Sequence, residues 1–307
     1  LDGDVVYAAS EAGVVFALDA ATGNQRWRTA LNETPRGLIR TDGAQIYLRT
    51  DQGGVFALDA MTGTPSWNAS FEGGLNIPVP VGDALIVATR RGAIIALDVA
   101  TGDERWRTES GRTLRADPAL IGTRGDIVAV GDIGGRLHQF EPTTGDRIGE
   151  ETPLGRQFQG PPLQIGDLTV VASNPDVIVI AGDGAEVWRT AIGEPNRLPM
   201  VAHGGVLYVD ATPNLLAIDL ATGAVRWRYT SRALTVTFGV GDDLAIAGMH
   251  TGEVHGIDLD TGERLWRYRT NESIRGAPVI DDTTGLAYFG GLDGSVYAIV
   301  IREIEDE

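Results

Sequence analysis

"FALDAATGNQRWRT", residues 16–29, returns as "FALDAMTGTPSWNA" at 56–69, "IALDVATGDERWRT" at 95–108, "LAIDLATGAVRWRY" at 216–229 and "HGIDLDTGERLWRY" at 255–268. The six tryptophans, Trp27, Trp67, Trp106, Trp188, Trp227 and Trp266, each stand eight residues after the same strand-end position, so none is left for another role. Their spacings are 40, 39, 82, 39 and 39, a period of about 40 residues with one silent repeat. That repeat reads "FEPTTGDRIG", with Glu141 in place of Asp and Gly149 in place of Trp.

Within each unit the pattern predicts strands. "QIYLRT", "GVFALD" and "PSWNAS" are short β-rich runs separated by Gly, Asp, Asn or Thr turns, and no stretch carries a helical stripe. The Asp-x-x-Thr-Gly turn has a local cause. A strand-end Asp accepts from the turn's N–H groups and the Thr hydroxyl, while Gly takes a positive φ without a steric penalty. Asp19, Asp59, Asp98, Asp219 and Asp258 fit this role, with Thr22/Gly23 through Thr261/Gly262 behind them. One repeat rebuilds the turn with Ile180, Asp183 and Gly184 ahead of Trp188. A four-stranded sheet cannot bury both faces alone, so the units must stack, and the ring solution is a β-propeller with each Trp wedged between neighbouring sheets.

The A-x-D-x-x-T-G-x-x-x-W signature resembles the tryptophan-docking motif of the PQQ-like, or quinoprotein, propeller repeat over essentially the whole chain. The resemblance implies an all-β, eight-bladed propeller of four-stranded antiparallel blades, with the Asp-Thr-Gly turn joining each third strand to the fourth. Residues 1–29 supply strands two to four of a blade. Six full repeats follow, and the last unit, ending in "GSVYAIVIREIEDE" with Val300 in place of the Asp, supplies strands one to three. A single domain over 1–307 is therefore expected, with an N-terminal segment before Leu1 supplying the missing pair of strands.

Composition narrows the chemistry. The 307 residues contain no cysteine, which removes disulfides, thiolate catalysis and cysteine-ligated zinc. Net charge is −17, and all 25 basic residues are arginine. Without lysine there is no P-loop lysine, Schiff base or amine nucleophile, and so acidic a surface is expected to repel nucleic acid and anionic membranes. The acid-rich, lysine-free composition resembles proteins of salt-accumulating archaea. No apolar run approaches the roughly 18 residues of a spanning helix, so no direct membrane insertion is expected.

His138 and His255 occupy the strand-three position of Phe16, Phe56, Ile95, Leu216 and Tyr297, which predicts packing between blades. His250 and His255 flank a hairpin, but no third metal ligand accompanies them, and His203 stands apart. "DLDTGE" at 258 begins like a calcium loop yet lacks the remaining oxygen ligands, so it reads as the repeat's own turn. Aligning the first strands on Ile39, Pro80, Pro118, Pro162, Pro199, Phe238 and Pro278 puts Arg36, Ile77, Arg115, Gln159, Asn196, Thr235 and Arg275 three positions earlier. If the six polar members project into the funnel, they suit a small carboxylate or phosphate ligand; the alternative is ion pairing with acids such as Asp117. Asn32-Glu-Thr, Asn68-Ala-Ser and Asn271-Glu-Ser are glycosylation acceptor patterns placed after Trp strands, which fits export to the cell surface; the alternative is a cytoplasmic chain whose polar turns produce such triplets by accident.

PQQ enzymes similar to this chain hold quinone and Ca²⁺ with a vicinal-cysteine disulfide and long inter-blade insertions. Neither is present here, so neither PQQ nor Ca²⁺ is expected and no catalytic residue is assigned. Compact members built this way resemble BamB-type scaffolds, which bind partner proteins. The expected function is a monomeric, non-catalytic binding or scaffolding propeller. The alternatives are a quinone- or metal-dependent dehydrogenase and a sensor or adaptor part of a longer polypeptide.

Overall fold

The computed structural model describes residues 1–193, 200–231, 235–274 and 276–301, with backbone alone at 235 and 236. The fold class is the β-propeller, and no helix occurs among the described residues. Eight antiparallel sheets follow one another along the chain, each pairing its strands in chain order. The first sheet has three strands, Val5–Ala9, Val14–Asp19 and Gln25–Ala30, and the eighth also has three, Val279–Asp281, Leu286–Gly290 and Val296–Val300. The six between them have four. The chain forms two compact units, Leu1–Val187 and Trp188–Glu307.

Within a unit the core lies between successive sheets. In the first unit, Tyr47, Val55, Ala57 and Trp67 of the second sheet pack on Leu85, Val87, Ile95 and Leu97 of the third. In the second unit, Tyr208, Leu215 and Trp227 pack on Ala245, Ala247 and Ile257. Second and third strands are therefore covered on both faces and read as near-continuous apolar runs, such as Ala84–Ala88 and Ala93–Asp98. Fourth strands bury little besides their Trp, as in Val225–Thr230.

The repeated motif is the joint between sheets. A register shift just before the turn, as between Ala57 and Leu58 or between Ala217 and Ile218, sets Trp27, Trp67, Trp106, Trp227 and Trp266 opposite a small residue: Ala17, Ala57, Ala96, Ala217 and Gly256. The indole then reaches the turn of the following sheet. Trp27 Nε1 donates to Ala60 O at 3.0 Å, Trp67 to Val99 O at 2.7 Å and Trp106 to Pro142 O at 2.9 Å. In the second unit Trp188 donates to Leu220 O at 2.8 Å and Trp227 to Leu259 O at 2.7 Å. The ring face covers the turn glycine: a Cβ on Gly63 would sit 2.4 Å from Trp27, and one on Gly262 would sit 2.6 Å from Trp227. Gly184, which follows the sheet lacking a Trp, has nothing within 4 Å of its Cβ position. The Gly149 substitution and the rebuilt 180–184 turn thus record one lost joint, seen from its two sides.

The turn aspartates hold their charge tightly. Asp219 Oδ1 accepts from Thr222 N at 2.9 Å and Thr222 Oγ1 at 2.8 Å, while Oδ2 takes the Arg226 guanidinium at 2.6 Å. That pairing, with the Thr222 bonds, lowers Asp219 from 3.8 to about 2, and Arg26 with Thr22 does the same to Asp19. Asp98 is lowered chiefly by Arg105, Asp59 by the Thr62 hydroxyl and Asp258 by the Thr261 N–H. A carboxylate depressed in the folded state contributes stability above its unfolded pKa and loses it as pH falls through the folded one. The urea midpoint is expected to drop steeply as pH falls from about 4 to about 2. Asp219→Asn should remove part of that drop; an unchanged profile would show that the turn carboxylates do not govern acid stability.

Candidate functional site

Of the ligand-facing positions inferred from the first strands, Arg36, Arg115 and Gln159 are described with their side chains. Arg36 lies in the strand Pro35–Thr41 and is engaged, with Nη1 2.9 Å from Glu11 and Nη2 3.9 Å from Asp51; these acids, rather than Asp117, are its partners. The Arg115 N–H donates to Gly131 O at 3.2 Å, and its Nε is buried without a hydrogen-bond partner. The Gln159 N–H donates to Ala172 O at 3.0 Å. Thr235 pairs with Met249 through the backbone, and its side chain lies outside the described residues, as do Asn196 and Arg275. In the third sheet the counterpart of Gln159 is Asn76, whose N–H donates to Ala88 O at 2.9 Å, and not Ile77. Counting three back from Pro80 gives Ile77, whereas the backbone hydrogen bond falls one residue earlier. Asn76 is buried and its Nδ2 donates to Ala116 O at 2.8 Å, linking the third sheet to the segment before the fourth.

A different set of arginines converges nearby. Asp117 Oδ1 accepts the Ile77 N–H at 2.8 Å. Burial raises the Asp117 pKa, while that hydrogen bond and the charges of Arg49, Arg40 and Arg90 oppose the rise. Burial lowers Arg49, Asp117 counteracts this, and Arg90 and Arg36 reinforce it. The sequence reasoning missed Arg40, Arg49 and Arg90 because none of them recurs at the repeat period.

The two strand-three histidines are buried and also hydrogen-bonded. His138 Nε2 lies 3.0 Å from Asp132 Oδ2 and its Nδ1 lies 3.2 Å from Arg147 Nη1. His255 Nδ1 lies 2.7 Å from the Tyr229 hydroxyl, and Glu253 is 3.4 Å from its Nε2. Burial pushes His255 below its ordinary 6.5, with Glu253 opposing. Of the acceptor asparagines, Asn32 and Asn271 are exposed in connections. Asn68 is exposed too, but it stands inside the strand Pro65–Ser70, paired opposite Phe56, and not in the connection after it.

Comparison with known proteins adds the following. The model of the family described as outer membrane protein assembly factor BamB matches residues 11–229 and 134–305. The chain is 28% identical over 172 residues to the outer membrane protein assembly factor BamB of Burkholderia pseudomallei (strain K96243), a match covering 52% of this chain and 45% of that protein. It is 31% identical over 96 residues to the quinoprotein ethanol dehydrogenase of Pseudomonas putida, covering 29% of this chain and 15% of that one. The matched stretches thus span less than half of either relative. Among solved structures, BamB from Moraxella catarrhalis superposes with a TM-score of 0.83 at 20% identity, covering 99% of this chain and 94% of the other, a likeness that shows the fold.

Proposed function

The chain belongs to the family of the outer membrane protein assembly factor BamB, and from that premise we propose that it is a non-catalytic scaffold holding a partner protein at the cell envelope. The observation that carries this reading is a family match present in both compact units. Rigid sheets with pinned hairpin tips suit the role. Ile133, 49% exposed, and Leu292, 41% exposed, occupy the same hairpin position in the fourth and eighth sheets. Each tip is fixed by a backbone bond to the connection preceding its own sheet, Ile133 N–H to Thr113 O at 3.1 Å and Leu292 N–H to Ser273 O at 2.9 Å. A held apolar side chain loses little entropy on docking, which favours it as an interface anchor.

A photo-cross-linking residue at 292 is expected to join the chain to an envelope protein in its native cell, and Leu292→Asp should cut a purified partner's affinity about tenfold. The second reading, a quinone-dependent dehydrogenase, draws on the similarity to the Pseudomonas putida enzyme. Native mass spectrometry with PQQ and Ca²⁺ separates the two. No quinone adduct is expected; an adduct together with dye-linked ethanol oxidation would overturn the scaffold reading.

A further inference from the structure

We infer that Arg40, Arg49 and Arg90 form a binding site, beside Asp117, for the oxyanion group of a small ligand, a phosphate or a carboxylate.

The backbone register brings the cations together. Arg36 of the strand Pro35–Thr41 pairs directly opposite Arg49 of Gln45–Thr50, and Arg40 pairs opposite Tyr47. Directly opposite residues share a face, as do residues two apart on one strand. The irregularity between Arg36 and Arg40 sets residues 37–39 against Leu48 alone, so Arg40 returns to the face of Arg49 and Tyr47. Tyr47 packs against the third sheet. Ile77 of that sheet lies beside Gly37 and Arg49, and the charges of Arg90 and Asp117 act on Arg49. Gly37 lets both sheets close on the backbone here: its φ is +80°, and a Cβ there would meet Ile77 Cγ1 at 3.1 Å and Arg49 Nε at 3.5 Å.

Like charges directly opposite in a sheet are unfavourable, and guanidiniums kept from water need acceptors. The Nε atoms of Arg40 and Arg49 are buried without a hydrogen-bond partner. Neither residue forms an ion pair among the described residues, nor does Arg90. That shortage stands out in a chain with 42 acidic residues, where Arg26, Arg105 and Arg226 each hold a carboxylate. Arg36 answers to Glu11 and Asp51, which leaves Asp117 as one carboxylate facing three cations. An incoming oxyanion would take the free guanidinium edges in paired hydrogen bonds and balance the remaining charge. Carrying a local conflict that the fold does not relieve is the mark of a site awaiting its ligand.

Isothermal titration of the full chain at low ionic strength, with inorganic phosphate in one arm and citrate in the other, tests the site. Binding of at least one probe with Kd below roughly 1 mM is expected. Binding of phosphate alone assigns a phosphate ligand, and binding of citrate alone assigns a carboxylate. Arg49→Gln and Arg40→Gln should each weaken binding about tenfold or more. Asp117→Asn should tighten it severalfold, because the resident carboxylate competes for the same cations. Arg91→Gln, which removes an exposed partner of Glu72, should leave binding unchanged. Arg49→Gln should unfold at the same urea concentration as the parent or a higher one, since it removes a poorly solvated charge, so lost binding is not lost folding. Absence of binding by both probes at about 10 mM, or parental affinity in both arginine variants, would overturn the site.

Discussion

Trp227→Ala is expected to lower the free energy of unfolding by about 3–5 kcal/mol, read as a fall in urea midpoint at unchanged m-value. The side chain is 8% exposed in the cluster joining the sixth and seventh sheets, and its ring lies 5.8 Å from that of Tyr208. Truncation removes this packing and also leaves Leu259 O without the indole N–H. Trp266 provides the internal contrast. It is 3% exposed, yet its Nε1 has no hydrogen-bond partner, and the eighth sheet has Val300 where the turn Asp would stand. Trp227→Phe should therefore cost about 1–2 kcal/mol more than Trp266→Phe, the difference being the stranded carbonyl. Gly262→Ala attacks the joint from the other side, because φ is +74° and the new Cβ would sit 2.6 Å from the Trp227 ring. If Trp227→Ala shifts the midpoint no more than an exposed substitution such as Val225→Ala, the indole does not join the sheets.

The sheets were legible because five repeats carry a strand-end Asp, turn Gly and Trp at fixed separations, and those residues act locally. What the repeat could not convey is direction. The string shows a Trp missing at 149 and a turn rebuilt at 180–184 as two separate irregularities. Only the docking of each indole on the following sheet makes them one event. The candidate site fared differently for a related reason. Position three before the proline, or before Ile39 in its place, is a periodic property, and it singled out Arg36 and Arg115. Convergence on Asp117 depends instead on non-periodic features: three residues set against Leu48, a glycine at 37, and a cross-sheet hydrogen bond from Ile77. Arg49 sits in a strand that reads simply as "QIYLRT", and nothing local distinguishes it. His138 did not disclose its partner Asp132, since it looked like a replacement at an apolar repeat position.

Asp132→Ala is expected to cost about 3–5 kcal/mol, and the reason lies in how the fourth sheet is held without a Trp of its own. Its fourth strand is only Thr152–Pro153. In place of an indole it has a buried polar network. Asp132 is 0% exposed, and its Oδ1 accepts from Gly134 N at 2.7 Å and Arg136 N at 2.9 Å. Arg147 can only donate, so His138 Nδ1 accepts from it, and the ring proton sits on Nε2, facing Asp132 Oδ2. Glu151, next to the short strand, gathers Arg112, Arg136 and Arg147 within 3.5 Å. Removing the Asp132 carboxylate strands two backbone donors, the imidazole N–H and part of the Arg112 charge together. Asp132→Asn is the sharper probe. Its oxygen can still serve the two backbone N–H groups, but its amide meets the His138 Nε2 proton, donor against donor. The imidazole cannot escape by changing tautomer while Arg147 points at Nδ1, so a loss of about 1–3 kcal/mol is expected. Arg147→Met in the Asp132→Asn background frees that tautomer and should recover part of the loss, a coupling that separate, additive contacts would not show. If instead Asp132→Ala costs no more than about 0.5 kcal/mol, the apolar contacts of Leu137, Phe140 and Leu154 hold the fourth sheet without the network.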